Sequence, residues 1–214
     1  MLKLAESLWP INRSLTGQGL RDTLDILTLA VPGLQIKSIH SGEFAFDWVI
    51  PKEWEITEGY IVSPDGLKIC DFLENNLHVV GYSAPIDLVL NLDELQKNLH
   101  SLPNQPEAIP YVTSYYHEIW GFSMSQNQRD ALKPGRYHVV IRSRLFDGQL
   151  HYGEYFLKGK SKRELFFSTY VCHPSMANNE LSGPVLAVQL AKLVSKLDPY
   201  YSYRFVFVPE TIGS

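Results

Sequence analysis

Metal-binding types of side chain follow two apolar segments in the last third of the sequence. His173 comes directly after the apolar run 165–171, Glu180 lies in the loop that follows, and Glu210 comes after the apolar run 203–208. In open α/β sheets, ligands bind at the carboxyl ends of the strands. An imidazole and carboxylates from neighbouring strands suit zinc, which takes three or four such ligands. The pattern therefore predicts a metal site at this sheet edge.

Each of these residues also has a structural explanation, and the sequence leaves both explanations open. His173 precedes Pro174, which favours an extended exit from the strand, so its imidazole can serve hydrogen bonding alone. Residues 178–180 can form a polar loop before a helix that has Ser182 as its N-cap. Glu210 can be a surface carboxylate at the end of a buried strand.

Cys172, beside His173, raises the alternative of a thiol-dependent hydrolase. Adjacent residues of a strand point to opposite faces of the sheet. The thiol and the imidazole would then be badly placed to act as nucleophile and base. We therefore predict that Cys172 packs in the core.

The elements that position these residues can be predicted from the spacing of apolar residues. Leucines at 20, 24 and 27 predict a helix over 16–31, and residues 184–197 have a similar helical pattern. Strand, loop, helix and strand then follow in order from 165 to 208, which is typical of a βαβ unit in a covered parallel sheet. Asp147-Gly148 between two β-type runs predicts a two-residue hairpin.

Residues 35–135 differ in texture from both ends of the chain. They consist of short β-type runs separated by turn residues, such as Ser63-Pro-Asp-Gly66. We therefore predict an α/β core formed by 1–34 and 136–214, with an inserted β-rich module at 35–135.

Composition excludes several classes of function. The 214-residue chain has a net charge of −4 and no basic block, which argues against a nucleic-acid partner. No apolar run approaches the ~20 residues that a membrane span needs. Glu6 and Pro10 interrupt the place where a signal peptide would have its apolar core. Two widely separated cysteines form no disulfide framework, so we expect a cytoplasmic protein.

Several motifs together resemble one known family. The segments 173–183 and 209–214 are similar to the aminopeptidase-like domain family of polysaccharide-biosynthesis proteins, and so are 9–17, 46–54, 74–82 and 109–116. That family is distantly similar to the co-catalytic zinc exopeptidases of the leucyl aminopeptidase and glutamate carboxypeptidase type. The resemblance implies a zinc-exopeptidase-like α/β fold with a mostly parallel sheet core. It covers the N-terminal half of the family's length, so we expect an N-terminal fragment that lacks part of the site.

The resemblance also implies roles for individual residues. His173 matches the first histidine ligand of the zinc peptidases, and Asn179 stands where they have a metal-bridging aspartate. Glu180 follows it and is a candidate ligand in its place. Glu210 matches a glutamate pair that supplies a general base and a metal ligand, although Pro209 occupies one of the two positions. One or two zinc ions are expected in the full-length relative.

The function expected from this resemblance is zinc-dependent hydrolysis of a peptide, aminoacyl or other amide-bearing substrate, with Arg13 and Thr16 near the substrate. The rival hypothesis is an inactive, truncated or degenerate relative that binds a sugar or a peptide through the aromatic residues of the module. A sheet that ends at Val208 would also expose an apolar edge, through which we expect self-association.

Overall fold

The structure, a computed structural model, describes residues 1–209 of the chain. The chain divides into two compact units. The first contains Met1–Glu53 and the chain from Asp147 onward, and the second is Trp54–Phe146. The module predicted at 35–135 and the second unit therefore have different bounds, because the segment before Glu53 pairs with strands of the first unit.

Five α-helices and two single turns of other helix types lie within residues 1–209. The helices are α1 (Leu2–Leu8), α2 (Gln18–Ala30), α3 (Leu92–Gln96), α4 (Gln126–Asp130) and α5 (Ser182–Val194). The turns are a 3₁₀ turn at Asn76–His78 and a π-helical turn at Ala177–Leu181.

Residues 1–209 also contain twelve β-strands. They are β1 (Gln35–His40), β2 (Phe44–Ala45), β3 (Trp48–Val49), β4 (Glu53–Val62), β5 (Lys68–Ile69), β6 (Ile86–Asn91), β7 (Leu99–His100), β8 (Phe122–Ser123), β9 (Arg136–Phe146), β10 (Gln149–Leu157), β11 (Glu164–Tyr170) and β12 (Ser202–Val208).

The first unit has a mixed α/β fold built on a four-stranded sheet of order β1-β10-β12-β11. β11 and β12 are parallel, with Phe167 opposite Phe205, and α5 connects them as the predicted βαβ unit requires. β10 is antiparallel to both β1 and β12. The prediction of a mostly parallel core sheet is therefore not confirmed, because only one of the three pairings is parallel. β12 is an inner strand, so the sheet edge expected at Val208 is instead formed by β11.

Two helices cover the apolar residues of this sheet. Leu20, Leu24 and Leu27 form one buried stripe of α2, as their 4-3 spacing predicts. Val188 of α5 and Phe205 of β12 belong to the same core cluster. Burial of these side chains is what fixes the strands whose carboxyl ends carry the candidate site.

The second unit has its own four-stranded sheet, of order β5-β4-β9-β6. The turn predicted at Ser63-Pro-Asp-Gly66 is confirmed, because Ile61 pairs with Ile69 in antiparallel register across it. The hairpin predicted at Asp147-Gly148 is wrong. The strands on its two sides, β9 and β10, belong to different sheets, so these two residues connect the two units.

Each helix within residues 1–209 is too short or too polar to cross a membrane.

Gly19 allows α2 to approach the preceding loop closely. A Cβ atom at this position would overlap the carbonyl oxygen of Asn12 and would lie 3.2 Å from the backbone nitrogen of Arg13. Backbone atoms cannot rotate away as the end of a long side chain can. The absence of a side chain at Gly19 therefore determines where the backbone of Arg13 lies.

We expect Gly19→Ala to lower the free energy of unfolding by about 1–3 kcal/mol through this overlap, although alanine is the better helix former by about 1 kcal/mol. Urea denaturation would measure the change. Leu29→Ala, at a position of α2 that is 85% exposed, is the control and should stay within about 0.5 kcal/mol of the parent. A Gly19→Ala variant as stable as the parent would contradict the close contact.

Candidate functional site

The parallel pairing of β11 with β12 ends just before Cys172. Within residues 1–209, the last backbone bond between these two segments joins the Val171 N–H group to the Val208 carbonyl at 2.9 Å. Cys172 and His173 follow in a buried position, where an unpaired N–H group would cost free energy. These two amides therefore need acceptors from elsewhere in the chain.

Glu180 supplies the acceptor for both amides. Its Oε2 accepts hydrogen bonds from the Cys172 N–H group at 3.0 Å and from the His173 N–H group at 2.9 Å. The side chain of Glu180 is only 1% exposed. A charged acceptor makes stronger hydrogen bonds than a neutral one. Glu180 thus fixes the backbone of the strand exit in addition to presenting its other oxygen to the site.

Three potential metal-binding side chains meet at this point. The His173 Nδ1 atom lies 3.1 Å from Glu180 Oε1 and 3.2 Å from Cys172 Sγ. The candidate ligand atoms of the three residues all lie within 4.8 Å of one another, and all three residues are buried. The prediction that Cys172 and His173 point apart is wrong, because β11 ends at Tyr170 and the two residues lie beyond its alternating geometry.

Arg13 holds the other side of the strand exit. Its Nε donates to the His173 carbonyl at 3.0 Å, and its Nη1 donates to the Leu8 carbonyl at the end of α1, at 2.5 Å. The residue is 2% exposed. Arg13 therefore connects the N-terminal helix to the backbone of His173 from inside the first unit.

Electrostatics favour the neutral form of the imidazole. Burial, and to a smaller extent the positive charge of Arg13, lower the pKa of His173 to about 4. The Glu180 carboxylate, whose Oε1 lies 3.1 Å from His173 Nδ1, favours the protonated form, but burial outweighs this effect on the pKa. At neutral pH His173 therefore has an unprotonated ring nitrogen, as metal ligation requires.

The loop after His173 has the local geometry that returns Glu180 to the strand. Ser175 has a φ of 50°, a left-handed conformation that is uncommon outside glycine. The π-helical turn that contains Glu180 follows, and such turns are frequent at functional sites. Ser182 was predicted to be an N-cap, but its hydroxyl donates to the Asn178 carbonyl instead. A Cβ atom at Gly183 would overlap the Thr169 hydroxyl, so this glycine lets α5 approach β11.

The other predicted site residues lie in different environments. Asn179 is exposed and Thr16 is buried, and a substrate contact for Arg13 or Thr16 stays a prediction. Glu210 lies outside the described residues.

Cys172 is the site residue that the sequence argument excluded. Its signal was the adjacent His173-Pro174 pair, which marks the end of the strand and of strand alternation.

The aromatic residues expected to form a binding surface in the second unit pack mainly against one another. Trp54 stacks on Tyr82 with ring centroids 5.6 Å apart, and Tyr115 meets Tyr82 edge to face at 5.2 Å. The hydroxyls of Tyr111 and Tyr115 are 2.8 Å apart. Tyr116 is the exposed member of this group. These contacts resemble a core more than an open sugar-binding platform.

Glu180→Ala should lower the free energy of unfolding by about 3–5 kcal/mol, since it leaves two buried amides without their acceptor and removes the negative charge that stabilises the buried Arg13 cation. Glu180→Gln keeps an acceptor oxygen and should lose less. Denaturant unfolding of the metal-free chain would measure both. Glu164→Ala is the control, because it removes an exposed carboxylate paired with Arg204, and it should have a much smaller effect. Equal losses at positions 164 and 180 would refute the role of Glu180.

The stability of the metal-free chain should also depend on the protonation of His173. The folded pKa of about 4 lies below the ordinary histidine value of 6.5, so between these values the unfolded chain binds a proton that the folded chain does not. The free energy of unfolding should therefore fall as the pH decreases from about 6.5 to about 4, by up to roughly 3 kcal/mol. His173→Gln should flatten this decline relative to the parent. Identical pH profiles for the two proteins would exclude the shift.

Comparison with proteins of known structure shows the fold of the chain. A Clostridium acetobutylicum protein described as a peptidase is 50% identical and superposes with a TM-score of 0.94 over 98% of this chain and 49% of its own. A zinc aminopeptidase from Bacillus subtilis is 12% identical, with a TM-score of 0.61 over 96% of this chain and 58% of its own. At that identity the likeness is one of fold.

Comparison of sequences shows the family. A Clostridium acetobutylicum protein named as a polysaccharide biosynthesis protein with an aminopeptidase-like domain is 51% identical over 211 residues, which are 99% of this chain and 48% of the relative. The chain thus spans about half the length of that relative, and the resemblance identified from the motifs is confirmed. The profile of the family described as "Domain of unknown function (DUF4910)" matches residues 2–214. The chain therefore belongs to the DUF4910 family.

Proposed function

We propose that this chain contains the N-terminal part of a zinc-dependent, aminopeptidase-like hydrolase. The observation that supports this most directly is the buried meeting of His173, Glu180 and Cys172 where β11 ends. Their side chains are of the types that zinc prefers. A fold shared with a zinc aminopeptidase agrees with this proposal, but the donor set supports it independently.

The spacing of the donor atoms fits a single zinc ion. Two atoms bound to the same tetrahedral zinc at about 2.0–2.3 Å lie roughly 3.3–3.8 Å apart. The separations of 3.1 Å and 3.2 Å around His173 Nδ1 need only small adjustments to reach that range. When bound, zinc lowers the pKa of a coordinated water and polarises the carbonyl of the substrate.

The residues of the chain prepare this site in three ways. Glu180 keeps its Oε1 toward His173 because its Oε2 is held by two backbone amides. Arg13 fixes the backbone of His173 through its carbonyl. Burial keeps the imidazole neutral, so the ring as a whole needs to lose no proton to bind a cation through Nδ1, provided that Nε2 then carries the ring proton. Supported ligands of this kind make a site rigid before the metal arrives.

The catalytic step also needs a residue outside the cluster of Cys172, His173 and Glu180. We propose Glu210 as the general base or a further ligand, since it follows β12, the strand that pairs with β11. We propose that the substrate is a peptide or another amide-bearing molecule and that Arg13 and Thr16 lie near it. The name of the Clostridium acetobutylicum relative suggests a role in polysaccharide biosynthesis.

The organisation of the chain enters the same proposal. We assign the first unit to the aminopeptidase-like core, whose parallel part begins with β11 and β12, and the second unit to the inserted β-rich module. We also propose a cytoplasmic location, where thiols stay reduced. Within residues 1–209 β11 pairs on one side only, and we propose that self-association uses its other side.

Zinc binding tests the proposal. The metal-free chain should bind close to one equivalent of zinc in equilibrium dialysis with elemental analysis. His173→Ala should weaken the affinity by at least about 100-fold, because loss of a supporting group alone costs about 10–100-fold. His138→Ala is the control, since His138 lies on β9 in the second unit and pairs with Asp87. Release of amines from a panel of aminoacyl amides then tests the reaction class.

Two results would overturn the proposal. One is the absence of zinc from a folded chain at micromolar free zinc. The other is zinc binding that His138→Ala abolishes and His173→Ala leaves unchanged. Either result would favour the alternative of a binding module without catalytic metal.

A further inference from the structure

We propose that Cys172 is a metal ligand of this site and binds the ion as a thiolate, so that the first donors are Cys172, His173 and Glu180. The proposal rests on the proposed function, because it assigns a ligand to the same metal. It goes further in making the site a thiolate site. The resemblance to zinc exopeptidases assigned no role to this cysteine.

The geometry distinguishes a shared ligand site from a catalytic relay. In a nucleophile–base–acid relay, the nucleophile and the acid contact the two different nitrogens of the imidazole. Here Cys172 Sγ and Glu180 Oε1 both lie about 3 Å from the same atom, His173 Nδ1. The candidate donor atoms of the three residues lie within 4.8 Å of one another, close enough to bind a common cation. They are not arranged to pass a proton along a chain.

Burial gives a second argument against a nucleophilic cysteine. Cys172 is 0% exposed, so a substrate cannot reach its sulfur without opening of the fold. A metal ion can bind to the buried sulfur without any contact between that sulfur and the substrate. The thiol proton leaves to solvent when the ion binds, as thiolate ligation requires.

Charge gives a third argument. Glu180 contributes one negative charge and Arg13 one positive charge to the buried cluster, while His173 is neutral. A divalent ion would then leave an excess of two positive charges among these groups, in a region where uncompensated charge is costly. A thiolate at Cys172 reduces that excess to one. Within the described residues, it is the additional anion that the cluster itself can supply.

The second cysteine provides a matched comparison. Cys70 is also buried, but it lies in the apolar core cluster of the second unit, where burial raises its pKa to about 12. It belongs to no group of metal-binding side chains within residues 1–209. A thiolate is therefore strongly disfavoured at Cys70, and the two thiols should differ in every metal-dependent measurement.

Cobalt(II) titration of the metal-free chain, followed by absorption spectroscopy, tests the ligand directly. Cobalt replaces zinc in such sites, and a bound thiolate produces an intense near-ultraviolet charge-transfer band from sulfur to cobalt. We expect this band to reach its maximum at one equivalent in the parent and in Cys70→Ala. Cys172→Ala should lose the band and bind zinc at least about 100-fold more weakly. The parent spectrum decides the question even where a variant folds poorly.

The outcomes separate this proposal from the one on which it rests. Cobalt that binds at one equivalent, depends on His173 and gives no sulfur band would overturn Cys172 ligation and leave the metal site standing. A folded chain that binds neither cobalt nor zinc would overturn both. A sulfur band that Cys70→Ala removes and Cys172→Ala retains would also refute the assignment.

Discussion

The candidate site depends on one carboxylate oxygen of Glu180. This oxygen accepts hydrogen bonds from two successive backbone N–H groups, those of Cys172 and His173, where the parallel strand pair ends. Among the residues that the structure describes, the hydrogen bonds between the β11 and β12 segments end at Val171, and Cys172 and His173, whose N–H groups follow, are buried. Glu180 accepts from both through a single carboxylate oxygen. The interaction closes the strand exit, and it also fixes the direction of the second oxygen. Glu180 therefore has a structural role in addition to the metal-binding role that we propose for its other oxygen.

The surrounding elements are arranged to make this closure possible. Gly183 lets the start of α5 lie against Thr169, so the π-helical turn before it stays near the strand. Gly19 lets α2 lie against the loop that carries Arg13, and Arg13 then reaches the His173 carbonyl. Each contact depends on a glycine at a point of close approach, where an added Cβ atom would overlap the backbone of Asn12 at Gly19 and the side chain of Thr169 at Gly183. The position of His173 is thus determined by packing at some distance from its ring.

Features that depend on the local spacing of apolar residues could be predicted from the sequence. Strand direction and the position of a side chain just beyond the end of a strand could not. The helix around Leu20–Leu27 and the βαβ order of 165–208 follow from apolar spacing, and the structure has both. The sheet was predicted to be mostly parallel because apolar strands are typical of covered parallel sheets, but apolar spacing does not encode strand direction. The pairing of β10 with β1 and β12 depends on long-range contacts. Cys172 was excluded because the alternation of side chains along a strand was assumed to continue to residue 173, whereas the strand ends at Tyr170.

The charges of the cluster explain how one site can be stable with and without an ion. Without metal, the charges of Glu180 and Arg13 offset each other. With a divalent ion, a thiolate at Cys172 adds the negative charge that Glu180 alone does not provide. Asn179, where a bridging carboxylate would stand in the zinc peptidases, is neutral and exposed. Within residues 1–209, Cys172, His173 and Glu180 form the one group of three or more metal-binding side chains that lie together.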